Sequence, residues 1–307
     1  MIYLIGFIVM LAAEWCYLKV ARHVSWLHSA PGARSSHDVA TVTGSGFVIA
    51  AAAVAGLLAD FPREWFSAAG ILLAAGVSFA DDCRPLGILP RLLCQSIAAV
   101  AVMWGIVPPV IIIVLLPLAL AYINAYNFMD GINGMTVLYS AVLIASLLLL
   151  NGMYNFCDPL LPGLLLCAVA AVGVFNCRGR ALCFPGDTGA IAAGVITLYM
   201  ITRLIVVTGN VWWIVLAAVY GVDTALTILR RARLGEPIHM PHRRHLYQIL
   251  CNERHLPHTL VAAGYAGTQL LIDAGAIVLR DYLQYYAPAV IILLVAAYAL
   301  ILRAGKR

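Results

Sequence analysis

Charge is what this sequence has least of. Asp, Glu, Lys and Arg supply 11% of its 307 residues, against about a quarter in soluble domains. Hydrophobic residues make up 63% and the mean hydropathy is +0.95, a balance no soluble domain has. The chain also lacks any CxxC pair, and Cys177 and Cys183 have no metal-like partner set around them. Of the eight cysteines only Cys157 falls in a loop on the outer side, so no loop disulfide forms there, and all eight read as packing residues or free thiols. The N-terminal apolar run has neither a basic start nor an A-x-A-like cleavage site, so it reads as a membrane helix rather than a leader.

What is present is a series of apolar runs, each of the roughly 17–25 residues that span a bilayer as a helix or close to that length. About eleven occur: 2–20, 45–60, 66–80, 92–107, 109–123, 135–151, 160–176, 188–207, 211–229, 259–279 and 287–302. The expected fold is all-α, a polytopic integral membrane protein with one membrane-embedded domain over 1–307. Basic residues set its orientation. With the N-terminus outside, all of the 19 lysines and arginines except Arg63, Arg203 and Arg280 fall in inner loops, as the positive-inside bias requires. The C-terminus is then inside. The formal charge of +5 is a collar for anionic lipid headgroups and gives no reason to expect nucleic acid.

Chemistry concentrates in the inner loops, at about 21–44, 81–91, 124–134, 176–188 and 230–258. The central stretch is YINAYNFMDGINGM, Tyr122–Met135, in which Asn124, Asn127, Asp130 and Asn133 recur every third residue. That spacing puts them on one side of a helical turn or tight loop, and polar groups at this depth are costly unless they face water or a ligand. The plain alternative is a capped loop with Asn133 as N-cap. Asp81 and Asp82 end the third run, where the helix dipole is negative and a carboxylate is disfavoured. They call for a cation: Arg84 or Arg91 on the structural reading, a divalent metal or cationic ligand group on the functional one. Asp187 starts the eighth run, where it either caps the helix or, with Gly186 and Gly189 leaving room, shares the site with a phosphate.

Two further loops are basic. PGARSSH at Pro31–His37 followed by TVTGSG at Thr41–Gly46 offers backbone N–H groups and charge to phosphate, or is a flexible loop. In RRARLGEPIHMPHRRHLYQIL, Arg230–Leu250, His239, His242 and His245 recur by three with Arg243 and Arg244 among them. Zinc is poorly served there, since no Cys or carboxylate completes the set. An anion clasp or a juxtamembrane basic loop are the alternatives. Outer loops are short and carry no histidine. At membrane depth only Glu14 and Asp273 stand out, each with Arg203 or a polar group of a neighbouring helix as its expected partner.

Acids on several inner loops with a His/Arg segment suit magnesium-dependent phosphoryl transfer. NAYNFMDGINGM (Asn124–Met135), DDCRPL (Asp81–Leu86), FPGDTGA (Phe184–Ala190) and HMPHRRHLYQ (His239–Gln248), taken in order, resemble the polyprenyl-phosphate N-acetylhexosamine-1-phosphate transferases, the glycosyltransferase 4 superfamily that includes MraY and WecA. The segment Asp223–Glu236 is most similar to the WbpL-like branch that initiates O-antigen synthesis. The resemblance implies transfer of N-acetylhexosamine 1-phosphate from a UDP-sugar to undecaprenyl phosphate, releasing UMP, on the cytoplasmic face of a bacterial inner membrane. It implies Mg²⁺ (or Mn²⁺) on Asp187, with Asp81 or Asp82 placing or deprotonating the lipid phosphate. Asn127, Asp130, Asn133 and Phe184 match positions near the nucleotide, Arg91 matches a basic position, and His239, His242, Arg243 and His245 would bind the diphosphate or sugar. A homodimer is compatible with it.

Two departures stand out. The chain has Ala40-Thr41-Val42-Thr43-Gly44-Ser45-Gly46 where the family reads P-T-P-R-G-G-G, and Asn133 where MraY and WecA carry aspartate. The competing reading is a nucleotide-sugar or polyprenyl-lipid transporter. A CDP-alcohol phosphotransferase is disfavoured, because its D-G-x-x-A-R…G…D…D series is missing.

Overall fold

The computed structural model describes residues 1–30, 39–237 and 242–304. Among them the chain folds as α1 (Ile2–Ala21), a short hairpin of β1 (His28–Ser29) and β2 (Thr41–Val42), then α2 (Phe47–Leu58), α3 (Trp65–Cys83), α4 (Ile88–Met103), α5 (Pro109–Met129), α6 (Met135–Tyr154), α7 (Leu160–Asn176) and α8 (Gly186–Thr208). There follow α9 (Ala218–Arg233), entered through a 3₁₀ turn at Val211–Ala217, then α10 (Leu246–Asn252), α11 (His258–Val278) and α12 (Leu283–Ala304). The hairpin is antiparallel, pairing His28 with Val42 and Ser29 with Thr41.

Each of the eleven apolar runs lies on a helix. Eight described helices are long and apolar enough to cross a membrane, and three shorter apolar ones, α2, α4 and α7, fill the bundle between them. The helices end where the chain supplies the conformation for it. Pro109 opens α5, Gly134 precedes α6 with a left-handed backbone, and Gly209 closes α8 in the same way. The protein is therefore an all-α, multi-pass membrane protein.

α8 is the centre of the bundle. Its most hydropathic window is 72% buried, whereas the corresponding windows of α1 and α12 are 17% buried, and it packs against α2, α3, α4, α5 and α6. Small residues let it do so, as they do between membrane helices generally. Where α2 and α8 begin, Gly46 and Gly189 meet so closely that a Cβ on Gly46 would lie 2.1 Å from the Gly189 Cα. The tyrosines of α5, α6 and α9 form a buried aromatic cluster, with Tyr139 stacked on Tyr220 at 3.5 Å between ring centroids and Tyr126 edge-on to both.

The buried ions at depth follow the expectation in part. Arg203 of α8 bonds Glu64, just before α3, at 2.7 Å. Glu14 instead takes the Cys183 thiol at 3.4 Å, and Asp273 takes Gln269 of its own helix at 2.6 Å together with Ser146 of the neighbouring α6, the kind of partner expected for it. The Glu64–Arg203 pair marks one end of the bundle. The C-termini of α3, α5, α7 and α9 and the N-termini of α6, α8 and α10 gather at the other.

Candidate functional site

The gathering begins with a junction between two helix ends. Asp82, in the last turn of α3, reaches the first turn of α8: its carboxylate accepts the backbone N–H groups of Asp187 and Thr188, both at 3.0 Å. It also accepts the Thr188 hydroxyl at 2.6 Å and the Thr43 hydroxyl at 3.3 Å. A carboxylate misplaced at the negative end of α3 is thus well placed at the positive end of α8, and it caps that helix across 105 residues of sequence. The turn admits it only because residue 186 is glycine. Gly186 has φ +68°, and a Cβ there would stand 2.6 Å from both Asp82 oxygens. Backbone bonds from Ser45 and Gly46 to the Phe184 and Pro185 carbonyls, and from Phe184 N–H to Val42, tie the entry of α8 to β2.

The neighbouring carboxylate points elsewhere. Asp81 accepts the Leu86 N–H at 2.6 Å, and its other oxygen pairs with Arg91 of α4 at 2.9 Å. The second Arg91 nitrogen reaches Asp187 at 2.8 Å. One guanidinium thereby bridges two acids that come from opposite helix ends, and Arg91, not Arg84, is the cation the sequence called for. Asn127 of α5 lies against Asp187. Two carboxylates close enough to share one cation are a donor set that suits Mg²⁺, which is bound by one or two carboxylates and completes its shell with water and phosphate oxygens. Among the described residues no group of three His, Cys, Asp or Glu is placed to hold a metal ion.

The central stretch supplies a second wall. Asp130, just past α5, accepts the Thr136 hydroxyl at 2.6 Å and lies within electrostatic reach of Asp82. Burial raises its carboxyl to about 7, with Asp82 adding to the rise and the Thr136 bond opposing it. Asn133 does not cap α6, since Gly134 holds that position. Its amide donates to the carbonyls of Arg178 at 3.0 Å and Gly179 at 3.3 Å, bracing the loop that leads to Asp187. Asn176 braces the same loop, accepting Gly134 N–H and donating to the Cys183 carbonyl, both at 2.8 Å. Asn124 turns away toward Gln95 of α4. Phe184 is half-buried beside β2.

The basic loop closes the third side. His239 and the motif PGARSSH lie outside the described residues. His242 and His245 stack with ring centroids 5.0 Å apart, and His245 lies 6.2 Å from Phe128. Burial, with help from His245 and Arg231, holds the His242 imidazole down at about 4. Arg243 is half-buried beside it, and Arg244 pairs with Glu236 at 2.9 Å. Tyr247 bonds the Phe128 carbonyl at 2.9 Å, fastening α10 over the end of α5. Asp81, Asp82, Asp187, Arg91, Asn127, Asp130, Asn133, His242 and His245 thus come to one end of the bundle. Sequence reasoning missed Thr43, Thr188, Asn176, Tyr247 and Asp223. Thr43, Thr188, Tyr247 and Asp223 stood inside quoted segments and Asn176 at the head of an inner loop, but nothing in the order of residues marks them within those stretches.

Beside this polar end, an apolar groove of about 610 Å³ runs along α5, α9 and α12. Its floor includes Leu198 and Ile201 of α8, its rim includes Leu118, Ile214 and Val295, and it reaches Asn124 and Phe128 near the acids. The rim residues are exposed, so the groove opens on the side of the bundle.

The family model for glycosyl transferase family 4 matches residues 65–205, from the start of α3 to near the end of α8. No curated protein matches the chain.

Proposed function

We propose, from the premise that residues 65–205 make this chain a member of glycosyl transferase family 4, that it moves an N-acetylhexosamine 1-phosphate from a UDP-sugar to undecaprenyl phosphate. The products are undecaprenyl-diphosphate-sugar and UMP. The observation that carries this reading is the Asp81–Arg91–Asp187 bridge, set between the Asp130 loop, the histidines and a side-opening apolar groove. Such a site meets a charged nucleotide from one side and a lipid phosphate from the other.

A lipid phosphate oxygen attacks the phosphorus that bears the sugar. That oxygen–phosphorus bond forms as the bond to the bridging oxygen breaks, and UMP leaves with the bridging oxygen. The second pKa of a phosphate monoester is near ~6, so the attacking group is already dianionic at neutral pH and needs no strong base. The task left to the protein is to orient it and to offset charge. Mg²⁺, held by Asp187 with Asp81 beside it, would supply that neutralisation on the diphosphate. Arg91 offers a second, fixed cation. Asp82 has spent its oxygens on α8, which leaves Asp81 as the carboxylate facing the lipid phosphate. Asn127, Asp130, Asn133 and Phe184 would line the nucleotide side, and His239, His242, Arg243 and His245 the diphosphate or sugar side. With the basic loops inside, the reaction belongs on the cytoplasmic face of the inner membrane, at the start of O-antigen or related surface-polysaccharide synthesis.

Purified protein given Mg²⁺, undecaprenyl phosphate and a panel of UDP-amino sugars should release UMP, and chelation should stop it. Asp187→Asn should lower turnover by about 100-fold or more. Solute movement across proteoliposomes without UMP release would replace this reading with a transporter.

A further inference from the structure

Asp223 of α9 has no part in the chemistry of the proposed function, yet its side chain is ringed by Thr227, His245 and Tyr265. It is 3% exposed. One oxygen accepts the backbone N–H of Leu246 at 3.1 Å and the Thr227 hydroxyl at 3.0 Å, and meets Nδ1 of His245 at 3.2 Å. The other accepts the Tyr265 hydroxyl at 2.6 Å. A carboxylate surrounded by donors has nothing to offer a lone pair. Nδ1 of His245 also faces the Gln248 backbone N–H in the capping box of α10, but a lone pair turned on the Asp223 carboxylate is the costlier arrangement, so Nδ1 carries its proton toward Asp223. The ring itself is 2% exposed and is pressed between Phe128, His242 and Tyr247. Its other nitrogen, Nε2, is buried and has no hydrogen-bond partner among the described residues.

A buried imidazole with one nitrogen locked and the other unmatched costs free energy, unless the second nitrogen is kept for something that arrives. The same arrangement orients histidines in metal sites and catalytic triads, where the carboxylate decides the tautomer and aims the working nitrogen. We infer that Asp223 is a positioning residue: it fixes His245 with Nδ1 protonated so that Nε2 is presented to the sugar-nucleotide at the α5 end of the site. This rests on the proposed transferase reading, in which His245 touches substrate. Asp223 itself touches none.

The experiment separates the two. Protein labelled with ¹⁵N-histidine and reconstituted in lipid is examined by long-range ¹H–¹⁵N correlation, with His245→Gln used to assign the ring. The expected wild-type spectrum shows Nδ1 protonated, with Nε2 changing its shift when UDP-sugar is added. Asp223→Asn should lose the fixed tautomer and lower kcat/KM for the UDP-sugar by about 10–100-fold. Tyr265→Phe, which strips another donor from the same carboxylate but leaves the His245 contact, should lose less than about three-fold. A wild-type ring protonated on Nε2 alone, no response of Nε2 to UDP-sugar, or an Asp223→Asn enzyme at the wild-type rate overturns the inference while UMP release stands. Equal losses in Asp223→Asn and Tyr265→Phe reduce Asp223 to a packing role and overturn it as well. Should Asp223→Asn fail to fold, the wild-type spectrum decides alone. Absence of UMP release from wild type is the separate failure of the transferase reading.

Discussion

Asp130 sits one residue beyond α5 and accepts the Thr136 hydroxyl at 2.6 Å, and burial lifts its carboxyl from the ordinary 3.8 to about 7. Such a group binds its proton more tightly in the folded chain than in the unfolded one. Its contribution to stability is full below about 3.8, declines as pH rises through 7, and is gone above that. An amide imitates the protonated form and cannot ionise. In metal-free, chelator-treated protein, Asp130→Asn should therefore melt progressively higher than the parent as pH climbs from about 4 to 7, hold that lead above 7, and lie nearly level with it only near the ordinary carboxyl value of 3.8. Thermal melts in detergent across that range check it, and a parallel pair of curves would show that Asp130 does not titrate there. Its neighbour Asn133 makes the opposite point about residue identity. Where the proteins that this motif resembles carry aspartate, the amide here donates to two carbonyls, which a carboxylate does not do.

Helix ends, more than helix bodies, organise this molecule. The two acids that close α3 behave differently because they meet different elements: Asp82 caps α8, and Asp81 faces Arg91 of α4. Replacing Asp82 by Asn turns an all-acceptor group into one that presents N–H to the α8 donors. The cost should be about 0.5–2 kcal/mol, the value of a helix cap, read as a lower melting temperature in detergent. Asp81→Asn, which leaves that cap intact, should melt near the parent and lose turnover instead. Equal melting of the two variants would remove the division of labour between them. This pair also shows what was legible beforehand. The apolar runs, the inner-loop motifs and the need for a cation near Asp81 are readable along the chain, because hydropathy and dipole sign are local properties. Which carboxylate would satisfy which helix was not, since Asp82 and Asp187 are 105 positions apart and either one alone looks like a cap or an orphan. The N-cap alternative for Asn133 gives way for the same reason: Gly134, left-handed at φ 82°, ends the turn one residue later and frees the amide for a loop 45 residues away.

At the scale of the whole molecule, polar chemistry and lipid contact are segregated by direction. α8 is sheathed by five helices, and the site opens at one end of the bundle while the groove along α5, α9 and α12 opens at its side. A lipid phosphate bound at Asp81 and Arg91 would lay its first isoprenoid units along that groove. Ala121 and Ala225 line it and are themselves exposed, so a large side chain at either position fills the groove without disturbing the core. Displacing about two methylene-sized groups from apolar contact costs about 1.6 kcal/mol, slightly more than the 1.4 kcal/mol that makes a tenfold change in affinity. Ala225→Trp should therefore raise the KM for undecaprenyl phosphate by about tenfold with little change in the KM for the UDP-sugar. A short, water-soluble prenyl phosphate that does not reach past the first units should be used equally well by variant and parent. If the variant handles the long acceptor as well as the parent does, the chain runs elsewhere along the bundle; if both acceptors lose equally, the groove supports the site rather than the lipid.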